Sequence, residues 1–136
     1  MYKSFLITGS VSGMLVVLLG AFGAHSLKQV LSVDSLNVFE TGVRYQFYHS
    51  FALLITGMLS DRFRTKWIKY AGYSFISGIV LFSGSLYALA FLQAPGNAGL
   101  RSIGIITPFG GLFFIAGWML LVVALLAKNN PLKAVD

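Results

Sequence analysis

The chain is 136 residues long, with 57% hydrophobic side chains and only 10% charged ones. Soluble domains carry about 25% charged residues, so a water-facing shell is excluded and the apolar surplus has to face lipid. The net charge of +6 does not point to nucleic acid, because the basic residues form short clusters between apolar runs without an aromatic–basic platform.

Four apolar runs can be read at the roughly 20-residue length that a bilayer requires. The first predicts a helix over residues 5–25. Lys3, an apolar stretch and Ala21-Phe22-Gly23 have the outline of a signal peptide, yet the run exceeds the usual h-region of about 7–15 residues. A retained helix is therefore expected. Its Gly9, Ser12, Gly13, Val16, Gly20, Gly23 and Ala24 fall on one helical stripe, and Gly9 and Gly13 form a GxxxG pair.

The second apolar core spans only Phe47 to Ser60. A helix over residues 35–60, capped by Asp34 or Ser35, makes it long enough, with Leu36, Phe39, Val43 and Phe47 along one edge. Glu40 precedes Arg44 by four residues, the favourable order for a helical pair. The first three turns of this helix are expected at the membrane interface.

The third helix is predicted over residues 68–92, with Ser74, Ser77, Gly78, Leu81, Gly84, Ser85 and Ala88 on one face. The fourth is predicted over residues 103–127 and contains Thr107-Pro108. Two readings stay open there. Proline suits a first helical turn, so the helix can begin at Pro108, leaving 94–106 as a loop that dips back into the bilayer. Otherwise an unbroken, kinked helix starts at 103. Gly110, Gly117 and Ala124 share one side.

These elements predict an all-α integral membrane protein, a four-transmembrane-helix bundle forming a single domain over residues 1–136. Helices in lipid associate through close packing and hydrogen bonds, so Gly9, Gly13, Gly20, Gly23, Gly78, Gly84, Gly110 and Gly117 are expected at helix contacts, within the chain or between copies of it. Ser12-Gly13 and Ser77-Gly78 head similar runs, an echo for which chance in apolar sequence is the simpler account. Lys3, Arg62, Arg64, Lys66, Lys69, Lys128 and Lys133 share one side, and Lys28, Arg44 and Arg101 the other. The positive-inside rule then puts both termini and the 61–69 loop on the cytoplasmic side of a bacterial inner or plasma membrane, with the 25–47 and 93–106 connections facing outward.

Ionisable groups at membrane depth carry a functional hypothesis by default. Here they are His25, Glu40, Arg44 and His49, with Gln46, Tyr45 and Tyr48 beside them, all toward the outer side on this topology. His25 and His49 at similar depth raise bis-histidine haem ligation, but His25 falls far from its helix's small-residue stripe. Zinc needs a third ligand; Glu40 could supply one, but the spacing is not diagnostic. His49, Gln46, Gly42, Leu53 and Gly57 share one face and can line a solute path; the plainer reading is that Gln46 and His49 bond neighbouring helices. No nucleophile elbow, HExxH or phosphate loop occurs, and absent cysteine removes thiolate chemistry. No catalytic residue, metal or cofactor is expected.

Four stretches give a further lead. Gly20-Ala21-Phe22-Gly23-Ala24-His25-Ser26-Leu27 and Tyr45-Gln46-Phe47-Tyr48-His49-Ser50-Phe51-Ala52-Leu53, then Leu81-Phe82-Ser83-Gly84-Ser85-Leu86-Tyr87 and Thr107-Pro108-Phe109-Gly110-Gly111 with Gly117-Trp118, resemble the YgdD/YwdK-like small membrane proteins, domain of unknown function 423. The resemblance covers nearly the whole chain in order. It implies a multi-pass membrane protein of similar length, with no catalytic or binding residues to carry over. The expected function is a non-enzymatic structural or accessory component of a membrane complex, with the lipid bilayer and a homo-oligomer or larger complex as partners. A small oligomeric transporter or channel using His25, Gln46 and His49 is the alternative, and a haem- or metal-binding protein the next.

Overall fold

The computed structural model describes residues 2–92 and 103–127. Between Lys3 and His25 no side chain is charged, and the 23 residues of Lys3–His25 make a rod of about 35 Å, longer than a hydrocarbon core of about 30 Å. Ser26 closes its last turn on the Phe22 carbonyl. A short 3-10 turn, Leu27–Gln29, then tucks Leu27 into the interior.

The second helix is Val33–Leu59, and its cap is Ser32, whose side chain accepts the Ser35 N–H at 3.2 Å. The cap thus precedes the expected Asp34 or Ser35. Asp34 sits instead in the first turn, where its charge favours the positive end of the helix dipole. The helix runs antiparallel to the first: Leu6 lies over Gly57, Leu54 over Gly9, Val43 beside Gly20 and Phe39 against Gly23. From Phe39 onward it is therefore alongside the first helix. Bare backbone at Gly23 and Gly42, which receive the Phe39 and Tyr87 rings, lets this less apolar half pack as tightly as the rest.

The third helix, Lys66–Leu92, contains a π turn over Ile79–Ser83. Ahead of the turn, Ile68, Ala71, Gly72, Phe75 and Gly78 face inward. Beyond it the inward positions include Ser83, Leu86 and Ala90, one step later than an unbroken helix would give. A π turn accommodates one extra residue, and that residue resets the face. The predicted stripe assumed a constant period, which is why Gly84, beyond the turn, faces open space; Ser85 stays buried as the stripe expects, while Ser74 and Ser77, ahead of the turn, are only half-buried.

The fourth helix is Ile103–Leu126, with Pro108 inside it. Of the two readings, the helix from 103 holds. Pro108 sits near the helix start, where the donor it lacks would have bonded only the first turn. Residues 103–106 are helical; 94–102 lie outside the described residues.

The first helix pairs with the second and the third with the fourth, and the second also contacts the third on both sides of the π turn. One apolar cluster, around Phe5, Leu53, Phe75 and Phe114, fills the end where the chain begins. Another, around Leu27, Phe39 and Ala90, fills the opposite end. Close approach depends on bare backbone at particular sites. A β-carbon on Gly72 would overlap the Phe5 ring, one on Gly78 the Phe114 ring, and one on Gly110 the Phe82 backbone. Gly117 meets Phe75 at 2.6 Å and Gly9 meets Leu54 at 2.9 Å on the same construction, whereas Gly20 has only an ordinary 3.8 Å contact with Val43 and Gly13 none within 4 Å.

Among the described residues, the first, third and fourth helices are long and apolar enough to cross a membrane. The second carries Asp34, Glu40 and Arg44 in its first half. Val17 and Leu18 on the first helix, and Ile115 and Met119 on the fourth, remain exposed, an apolar exterior that suits lipid and not water.

Candidate functional site

The two apolar clusters are separated by a band of buried polar groups, and Gln46 is at its centre. Its amide nitrogen donates to the Ser12 carbonyl and hydroxyl, both at 3.2 Å. Its amide oxygen accepts the Tyr87 hydroxyl at 2.7 Å. One side chain thereby ties the first, second and third helices. Ser50 Oγ lies 2.7 Å from both Ser12 Oγ and the Gln46 carbonyl. A carbonyl only accepts, so Ser50 gives its single hydrogen to Gln46, and Ser12 donates to Ser50. Every hydrogen bond in this chain then has one donor and one acceptor.

His49, 5% exposed, ties the second helix to the fourth. Its Nδ1 is 2.8 Å from the Tyr45 carbonyl, which fixes Nδ1 as the donor. Nε2 is left to accept from Trp118 Nε1 at 3.3 Å. The imidazole also lies on the Phe114 ring, with Phe75 and Tyr45 around it. Both ring nitrogens are engaged, so a metal or haem iron would have to displace the Trp118 bond.

His25 does not join this site. It is exposed at the end of the first helix, with Nδ1 2.9 Å from the Ala21 carbonyl. Gln46 and Ser50, which bracket His49, pair with Ser12, so His25 lies about 20 Å further along the bundle at 1.5 Å per residue. Similar depth for the two histidines, the premise of the haem reading, is not what the antiparallel register produces. No group of three or more His, Cys, Asp or Glu comes together among the described residues.

Glu40 and Arg44 are also apart from Gln46 and His49. Both are exposed and line a cleft of about 450 Å³ between the first and second helices, with Gly20, Val43, Phe47 and Tyr48. The five predicted polar residues thus divide into a buried pair, a cleft pair and a terminal histidine. Near the π turn, Ser85 Oγ bonds the Phe82 carbonyl at 2.9 Å and meets Thr107 Oγ1 at 2.7 Å, while Ser83 Oγ is buried without a partner.

Sequence reasoning did not single out Ser12, Tyr87 or Trp118 as partners of Gln46 and His49. Helical periodicity relates residues on one helix only, and these bonds cross between helices. The available signal was the four motif stretches, since Gln46, His49, Ser50, Tyr87 and Trp118 all lie in them.

The family model for DUF423, described as a protein of unknown function, matches residues 19–111, a span that includes most of the polar band. The chain belongs to the DUF423 family. It is 43% identical over 122 residues to the UPF0382 membrane protein SH2409 of Staphylococcus haemolyticus, covering 90% of this chain and 94% of that one. It is 42% identical over 123 residues to the UPF0382 membrane protein YwdK of Bacillus subtilis, covering 90% and 95%. No solved structure matches. With such relatives and several long apolar helices, this DUF423 member is a multi-pass bacterial membrane protein.

Proposed function

We propose that this DUF423 protein is a non-enzymatic component of a membrane complex, a rigid helical module whose lipid-facing surface meets other membrane proteins or copies of itself. The observation that carries this reading is the use of the interior polar groups. Gln46, Ser12, Ser50, Tyr87, His49 and Trp118 bond one another across helices, and hydrogen bonds of this kind are what lipid leaves available to fasten helices together. A solute path through Gln46 and His49 would require those bonds to open.

The proposed orientation has both termini and the 61–65 connection in the cytoplasm, following the charge balance of the sequence. The backbone N–H of Tyr2 donates to Ser60 Oγ at 2.8 Å, so the start of the chain and this connection share one end of the bundle, as that orientation requires. A reporter fused after residue 136 is expected to register as cytoplasmic, and an external signal would overturn the assignment.

The accessory reading is tested by native electrophoresis of membranes solubilised in mild detergent at natural expression levels. A discrete species well above the 14.8 kDa of one chain is expected, with defined stoichiometry. Migration as a single chain would overturn it. Proton or solute flux in liposomes above empty vesicles would favour the transporter instead.

A further inference from the structure

The cleft between the first and second helices combines an apolar floor with two opposite charges on its rim. Val16, Gly20 and Gly23 form one wall, and Val43 and Phe47 face them. The floor is open because Gly20 has no side chain, the nearest atom to its missing β-carbon being Val43 Cγ1 at 3.8 Å. Glu40 and Arg44 stand on the rim, and neither side chain makes a hydrogen bond or ion pair with another described residue. Charges beside a bilayer's apolar zone are costly without a partner.

Their placement says what kind of partner would satisfy them. Phe39 packs on Gly23 and Val43 lies beside Gly20, so Glu40 and Arg44 are level with the last turns of the first helix. Side chains lean toward their helix's N-terminus, which here directs both charges away from the bilayer centre, to headgroup depth. Their β-carbons are about 6 Å apart, one helical turn.

We propose that this cleft binds a phospholipid with a primary-ammonium headgroup, of the phosphatidylethanolamine class. Arg44 takes the phosphate, for which a guanidinium offers two parallel donors. Glu40 accepts N–H bonds from the ammonium, and one acyl chain lies in the trough over Gly20. Charge complementarity selects this occupant. A choline headgroup has no N–H to give Glu40, and a glycerol headgroup supplies no positive charge to meet it. This site goes beyond the accessory reading and stands independently of it.

The test uses the full chain reconstituted into nanodiscs with equal amounts of ethanolamine, choline and glycerol phospholipids, then released for native mass spectrometry. One ethanolamine lipid is expected to stay bound, over the other two by roughly tenfold, as for the loss of a charge-assisted hydrogen bond. Arg44→Gln and Glu40→Gln each should lower its retention by a similar factor, and Gly20→Leu should do so by filling the trough. Both polar substitutions are at exposed positions, and unchanged thermal unfolding in lipid-free detergent checks that the variants fold. Equal retention of choline and ethanolamine lipids, or full retention by Arg44→Gln, would overturn the proposal. So would a two-chain species that Gly20→Leu converts to one chain, since a second copy would then be the occupant.

Discussion

The imidazole of His49 lies flat against the ring of Phe114, with centroids 3.4 Å apart and planes 8° from parallel. This contact joins the second and fourth helices at the middle of the bundle, and the Trp118 bond to Nε2 fixes the ring that makes it.

Stacking and hydrogen bonding at His49 can be separated by substitution. His49→Phe keeps a ring on Phe114 and loses the bonds to Tyr45 and Trp118, for an expected cost of about 1 kcal/mol on the scale of bonds between membrane helices. His49→Ala also removes the ring and leaves a cavity, raising the cost to about 2–4 kcal/mol. Unfolding with increasing SDS in mixed micelles measures both. Equal losses would mean that the ring contact contributes nothing.

The Gln46 network should behave as a unit. Tyr87→Phe removes one bond and is expected to cost about 0.6 kcal/mol, while Gln46→Leu removes the links to both Ser12 and Tyr87 and costs about 1–2 kcal/mol. In the double variant the Tyr87 effect should vanish, because its acceptor is already gone. Strict additivity in the same unfolding assay would show that the Tyr87 bond is not formed.

Glycines that looked alike in the sequence should separate sharply. Gly72→Ala and Gly110→Ala force a methyl group into the Phe5 ring and the Phe82 backbone, an overpacking expected to cost about 1–3 kcal/mol. Gly13→Ala and Gly84→Ala meet nothing within 4 Å and should be neutral or stabilising by up to about 1 kcal/mol, the helix preference of alanine. Midpoints of thermal aggregation in detergent rank the four, and a destabilised Gly84→Ala would contradict the π-turn register.

A hydroxyl with no partner is a cost that its removal relieves. Ser83 Oγ is buried and unbonded, so Ser83→Ala should leave stability unchanged or raise it by about 1 kcal/mol. Ser50→Ala, which breaks a satisfied chain, should lower it. The opposite order in SDS unfolding would place an unseen partner at Ser83.

Much of the bundle was legible in the sequence because lipid imposes simple demands. Run length predicted helices close to Lys3–His25, Lys66–Leu92 and Ile103–Leu126, and small residues predicted contacts at Gly9, Gly78 and Gly117 that the packing uses. Three things were hidden. The π turn has no sequence signature, so a constant period puts Gly84 and Ala88 inward, whereas Leu86 and Ala90 are buried there and only Ser85 is common to both. Ser32 as cap was masked by the equally suitable Asp34 and Ser35. The antiparallel register of the first two helices decides which polar residues meet, and it follows from how Phe39 seats on Gly23 and Leu6 on Gly57, which no pattern within one helix reveals. Apparent depth alone therefore groups His25 with His49, and the register separates them.

Deleting a residue from a membrane helix ordinarily turns everything beyond it by about 100°. The third helix is different at Ile79–Ser83, where a surplus residue is already accommodated. A deletion there would return the segment to regular α geometry and leave Tyr87 still facing Gln46. The same slack permits migration: a π turn moving one step along the helix rotates only the residues it passes. Such a step would leave both ends of the third helix against their present neighbours, so the inward faces at the two apolar ends need not share one register.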